Sequence, residues 1–156
     1  MSSNQTEILL VEDDPQDVEL TLRVLRTENI KVAIQVARDG EEALDYLFRR
    51  GDYSNRAPNH QPSLILLDLK LPKVNGLQVI EQIKASDETR TIPVVVLTSS
   101  GEQKDIVESY RLGANSYVQK PVGSIEFRQA IKTLAFYWTA VNQVPVLQIK
   151  DPVITR

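Results

Sequence analysis

The chain has no cysteine and only one histidine, one methionine and one tryptophan among its 156 residues. Without thiols there is no disulfide framework, thiolate metal site or cysteine nucleophile, and a reducing cytoplasm is the compartment that fits. The single histidine, His60, lies in a turn-rich stretch with no second ligand near it, so it reads as a solvated surface side chain. Long apolar runs are also missing. None approaches the ~20 residues of a membrane span, and the polar start MSSNQTE lacks the basic and apolar segments of a signal peptide. Nor is there an excess of positive charge: 18 basic residues face 21 acidic ones, for a net charge of -3, and no dense basic cluster is present. Direct binding to nucleic acid or to a membrane is therefore not expected.

What is present suits one soluble globular domain. Four short runs carry the aliphatic bias of buried strands: ILLV (8–11), LILL (64–67), VVVL (94–97) and, more weakly, SYV (116–118). A fifth, KVAIQVA at 31–37, alternates and suits a sheet edge. Between them apolar residues recur at helical spacing: Val18, Leu22 and Leu25; Ala43, Leu44 and Leu47; Val79, Ile80 and Ile83; Ile106, Val107 and Tyr110; Ile131, Leu134 and Trp138. Five β-α alternations predict a parallel sheet with helices on both faces, because parallel neighbours need helix-length crossovers. Asp14 before Pro15 predicts a helix cap, and Ser86-Asp87 closes the third helix. Two segments fall outside the alternation, the turn-rich 51–63 loop and the tail 142–156, which holds two prolines and is expected to be extended.

The stretch LLVEDDP sets three carboxylates where a buried strand ends, and their repulsion calls for compensation. In an open α/β sheet, ligands bind beyond the carboxyl ends of the strands. Glu12 and Asp13 end the first strand, Asp68 the third, Thr98 and Ser99 the fourth, and Lys120 follows the fifth. If the first and third strands are neighbours, Asp13 and Asp68 converge on a site for a hard cation, with magnesium or manganese as the expected ion. A carboxylate beside such a cation, a hydroxyl and a lysine can also attack phosphorus. Asp68 would be the nucleophile, with Lys120 neutralising charge and Thr98 hydrogen-bonding the new phosphate.

VEDD, LLDLKLPKVNG, VVVLTSSG and NSYVQKP, in this order, resemble the signatures of response-regulator receiver domains, and the separations Asp68 to Thr98 and Thr98 to Lys120 match that pattern. The resemblance covers about residues 6–141. It implies a flavodoxin-like (βα)5 receiver domain, a three-layer α/β/α fold with sheet order 2-1-3-4-5, phosphorylated on Asp68 by a histidine kinase. It further implies that Asp13 binds Mg²⁺ directly, Glu12 mainly through water, and Lys70 through its backbone carbonyl. Thr98 and Tyr117 become a switch pair, Ser99 joins the phosphate pocket, and Lys120-Pro121 is expected to be a cis peptide. The E-D-D cluster, the 51–63 loop and the tail are similar to the small stand-alone regulators of cyanobacterial-type phytochromes, which makes a phytochrome the expected kinase partner. No output domain is expected to follow, so the signal would leave by protein contact.

A plainer reading exists for several residues. Asp14 serves as a cap, Lys70 and Ser100 flank the site and influence hydrolysis or are inert, and Phe136, Tyr137 and Trp138 divide between core and surface. A hydrolase of the haloacid-dehalogenase type also uses an aspartyl nucleophile after a strand, but it needs a second acid where this chain has Lys70. The chain is therefore not read as an enzyme beyond its own phosphorylation and dephosphorylation. A receiver-like scaffold independent of phosphorylation is the other alternative, and the intact Asp68, Thr98 and Lys120 argue against it. Apolar Val144, Val146, Leu147 and Ile149 in the tail point to a homodimer built on the fourth helix, fifth strand and fifth helix.

Overall fold

The computed structural model describes residues 6–27 and 31–145. Strands β1 (Thr6–Val11), β2 (Val32–Ala37), β3 (Leu64–Leu67), β4 (Val94–Thr98) and β5 (Ser116–Gln119) alternate with helices α1 (Pro15–Thr27), α2 (Gly40–Phe48), α3 (Gly76–Ala85), α4 (Gln103–Arg111) and α5 (Ser124–Phe136). The strands form one parallel sheet in the order β2-β1-β3-β4-β5. The expected flavodoxin-like topology is therefore present, and the alternating 31–37 segment is one of its two edge strands.

Pleating sends successive side chains to opposite faces, and the core divides accordingly. Leu9 and Val11 of β1, Ile65 and Leu67 of β3, and Val94 and Val96 of β4 pack with Leu44, Leu47, Val79, Ile80 and Ile83 of α2 and α3. Ile8, Leu10, Leu64, Leu66, Val95 and Leu97 point the other way, onto Val18 and Leu25 of α1 and Phe127 and Ile131 of α5. Strands buried on both faces explain why β3 and β4 read as unbroken aliphatic runs. Among the described residues, no helix is long and apolar enough to cross a membrane.

Helix starts follow from their caps. Asp14 Oδ1 accepts the N–H groups of Gln16 at 2.9 Å and Asp17 at 3.4 Å, with Pro15 as the first helical residue of α1. Asn75 and Gln78 form a reciprocal capping box at α3. α5 gives way at Tyr137 to a wider π-type turn through Val141, and Phe136 and Tyr137 are exposed there while Trp138 packs against the core. Val144 is half-buried; Val146, Leu147 and Ile149 lie outside the described residues.

The 51–63 loop is tied down rather than loose. It opens with a 3-10 turn at Gly51–Tyr53. The Arg56 guanidinium lies 3.7 Å from the centre of the Tyr46 ring and donates to the carbonyls of Tyr46 and His60. Gln61 donates to the Leu47 carbonyl at 2.9 Å. His60 is largely exposed, 3.9 Å from Glu7, as its surface reading required.

One expectation is corrected. The Lys120–Pro121 bond is trans, because the described residues contain no cis peptide. The trans form is the favoured isomer of an X–Pro bond by about 0.5–1 kcal/mol. With it, Lys120 N–H still donates to the Thr98 carbonyl at 2.7 Å and its side chain still reaches the acid cluster.

A close approach of backbone links α3 to the end of β3. Gly76 N–H donates to Leu69 O at 2.8 Å, and a Cβ on Gly76 would lie 2.4 Å from Asp68 O and 2.5 Å from Leu69 Cα. Neither backbone atom can yield without moving Asp68. Gly76→Ala is therefore expected to destabilise the fold by about 1–3 kcal/mol in urea unfolding; a native midpoint would contradict this packing.

Candidate functional site

The site lies where four strands end. The register that aligns Val11 with Leu67 places the turns after β1 and β3 side by side, and Asp68 N–H donates to Val11 O at 3.0 Å. Glu12 N–H donates to Ala37 O at 3.0 Å, continuing the ladder by one residue. Backbone bonds thus hold both acids at the edge of a dry sheet. Glu12 is 3% exposed, Asp68 7% and Thr98 0%, whereas Asp13 is exposed.

Lys120 enters this cluster from the turn after β5. Its ammonium donates to Glu12 Oε1 at 2.7 Å, Asp17 Oδ2 at 2.8 Å and Asp68 Oδ2 at 3.1 Å. Burial would lower the pKa of this lysine. Hydrogen bonds to Asp17 and Glu12 and the charge of Asp68 outweigh that, holding it well above the ordinary lysine range. Burial pushes Glu12 up to about 7; Lys120 opposes the rise and Asp68 adds to it. The remaining oxygens are partly engaged, Glu12 Oε2 by Asp14 N–H at 3.1 Å and Asp68 Oδ1 by Lys70 N–H at 3.3 Å.

Thr98 closes the far wall. Its Oγ1 is buried and makes no hydrogen bond, which is costly for a hydroxyl unless a ligand oxygen meets it. Beyond it, Tyr117 is half-buried and donates through its hydroxyl to Ser100 O at 2.9 Å. Burial raises its pKa, opposed by that hydrogen bond. Ser100 Oγ donates to Asp105 Oδ2 at 2.5 Å, which ties the turn after β4 to the first turn of α4. Ser99 is exposed, and its carbonyl accepts from Gln119 at 3.3 Å.

Residues 8–132 match the sequence profile of the response regulator receiver domain. The chain belongs to that family. Receivers are the response-regulator modules of two-component systems. Response regulator Rcp1 of Synechocystis sp. is 37% identical over 138 residues, spanning 88% of this chain and 92% of its own length. The crystal structure of its Mn²⁺-bound form superposes with a TM-score of 0.84 at 36% identity, over 90% of this chain and 99% of that one. The phosphorylated cyanobacterial phytochrome response regulator RcpA superposes at 0.85 with 36% identity and the same coverage. The bacteriophytochrome response regulator AtBRR is 51% identical, with a TM-score of 0.70, again over 90% and 99% of the two chains.

The acids of this receiver fit a divalent cation. Glu12, Asp13 and Asp68 each offer a carboxylate oxygen, all within 4.8 Å of one another, and exposed Asp13 leaves room for water in the coordination shell. Of the residues singled out from sequence, Glu12, Asp13, Asp68, Thr98 and Lys120 meet in one place. Tyr117 and Ser100 stand one layer behind. Asp17 was missed. As a further acid in the first turn of α1 it fits an ordinary polar helix face, and nothing in its spacing points to Lys120.

The raised pKa of Glu12 has a testable sign. An acid shifted upward from 4.5 to about 7 stabilises the fold fully below 4.5, and that contribution is lost as pH rises through 7. Metal-free protein should therefore lose stability across this window, and Glu12→Gln should flatten the loss. A divalent cation needs Glu12 ionised, so the gain in melting temperature on adding Mn²⁺ should grow between about pH 6 and pH 8. Equal gains at both pH values would contradict the assignment of Glu12.

Proposed function

We propose that Asp68 accepts a phosphoryl group from the phosphohistidine of a partner kinase, and that the receiver passes the signal on by protein contact in the cytoplasm. The observation that carries this reading is the Lys120 ammonium at 3.1 Å from Asp68 Oδ2 at the strand ends, where Thr98 ends β4 with its buried hydroxyl unpartnered. An Asp68 oxygen attacks phosphorus while the P–N bond breaks and the imidazole departs, leaving an acyl phosphate. Glu12, Asp13, Asp68 and the Lys70 carbonyl would hold Mg²⁺ or Mn²⁺, which when bound neutralises charge on the phosphoryl oxygens. Lys120 follows the new negative charge, and Thr98 Oγ1 and Ser99 donate to the phosphoryl oxygens. Phosphorylation adds about -1.5 to -2 charge, which gives the Thr98 hydroxyl reason to move and Tyr117 a route to shift against Ser100 and α4.

An open groove of about 350 Å³, lined in part by Leu20, Pro121, Val122 and Phe127, runs beside Lys120 between α1 and the turn after β5. With Gln16, Asp17, Ser99 and Ser124 also in its wall, it offers a partner a seat of mixed polar and apolar character next to the acceptor. AtBRR and RcpA, both response regulators of phytochromes, support a phytochrome as the kinase. An adduct at Asp68 is the direct readout: incubation with acetyl phosphate and Mg²⁺ should add one phosphoryl group by intact mass, and Asp68→Asn or excess chelator should abolish it. An undiminished adduct in either case would place the chemistry elsewhere.

The same reading includes a homodimer on α4, β5 and α5. It is supported by apolar side chains left in solvent there, with Val107 58% and Tyr110 50% exposed on α4, Phe136 62% exposed at the end of α5 and Val141 51% exposed at the end of the π-type turn that follows. The apolar tail beyond Val141 would reinforce it. Sedimentation of the whole chain should show a dimer at tens of micromolar that weakens in a chain ending at Val141; a monomer in both phosphorylation states overturns the dimer, and a dimer indifferent to truncation removes the tail from it.

A further inference from the structure

An ammonium has three N–H donors, and in Lys120 each has its own carboxylate: Glu12, Asp17 and Asp68. Two of these acceptors have other work. Glu12 and Asp68 belong to the group of acids that can hold a cation, and Asp68 is also the proposed acceptor. Asp17 belongs to neither set. It comes from the first turn of α1, where the Asp14 cap accepts its backbone N–H, and its side chain is 28% exposed against 4% for Glu12 and 9% for Asp68. It thus stands at the solvent edge of the cluster, within reach of Lys120.

Lys120 and a divalent cation draw on the same two carboxylates, Glu12 and Asp68. Glu12 Oε2 already accepts the Asp14 N–H, so Lys120 sits on the other oxygen, Oε1. A cation that draws Glu12 toward Asp13 and Asp68 loosens that bond, and an ammonium left short of acceptors in so buried a place is costly. We propose that Asp17 is a positioning residue: it keeps hold of Lys120 when Glu12 and Asp68 turn to a divalent cation, and so makes the cation's entry easier. This rests on reading Glu12, Asp13 and Asp68 as the cation site. Without Asp17, Lys120 keeps its full grip on Glu12 and Asp68 against the incoming ion.

The test is a thermodynamic cycle on Mn²⁺ binding, followed by electron paramagnetic resonance of free Mn²⁺ with the full chain and no phosphoryl donor. Asp17→Asn is expected to weaken Mn²⁺ binding by about threefold or more, as for charged groups in direct contact, and to change it little once Lys120→Met is already in place. Asp17→Glu should restore affinity, and Glu19→Gln, which removes an exposed charge from the same helix, should bind as the native chain does. Should Asp17→Asn not fold, Asp17→Ser carries the same comparison. Equal weakening with and without Lys120 would mean that Asp17 acts through its bare field, and unchanged affinity in a folded Asp17 variant would mean that it does not act on the cation at all; either overturns the proposal. A native chain that binds no Mn²⁺ overturns the cation site and the proposal with it. Failure of Asp68 as phosphoacceptor registers separately, in the mass of the adduct.

Discussion

One buried ammonium among carboxylates is the interaction on which the site depends. Glu12 and Asp68 end adjacent strands and are held there by backbone bonds to Ala37 and Val11, so they cannot separate to relieve their repulsion. Lys120 reaches them from the opposite side of the strand-end cleft and gives each a hydrogen bond. A pairing this well buried adds little net stability over an apolar alternative, yet removing one partner leaves charge stranded. Its value is that it is incomplete. One cation does not neutralise Glu12, Asp13, Asp17 and Asp68, and the residual negative charge is an invitation to a divalent ion and, with that ion, to a phosphoryl group.

The rest of the fold fixes where these groups stand. β1, β3 and β4 are packed on both faces, by α2 and α3 on one side and by α1 and α5 on the other, so the strand ends form a rigid platform. Gly76 lets α3 start in contact with the backbone of Asp68 and Leu69. Behind the platform, Thr98, Tyr117, Ser100 and Asp105 connect the strand-four end to α4. Only Ser109 of α4 is buried, so this helix is held more lightly than α2 or α3 and is the natural element to shift.

Much of this was legible in the sequence because it is written in periodicity. The aliphatic runs mark the strands, the alternating 31–37 segment marks an edge, and strand-end positions alone bring Glu12, Asp13, Asp68, Thr98 and Lys120 together. Asp17 was not legible, because its contact with Lys120 joins residues far apart in the chain and its spacing fits an ordinary polar helix face. The trans bond at Pro121 could not be read from residue type, since both isomers of an X–Pro bond lie close in energy. The order of the 51–63 loop escaped for another reason: its turn residues signal irregular backbone, while the Arg56 stack on Tyr46 that pins it depends on tertiary placement.

The central claim is that Lys120 and Thr98 are poised to receive charge that arrives on Asp68. A crystal structure grown with Mg²⁺ and beryllofluoride, a stable mimic of the acyl phosphate, tests it most directly. The account predicts the fluoride cage on Asp68, with Lys120 Nζ and Thr98 Oγ1 within hydrogen-bond distance of its fluorides and the cation held by Glu12, Asp13 and Asp68. A cage on Asp68 with Lys120 still bound to Glu12 and Thr98 still unpartnered would contradict it.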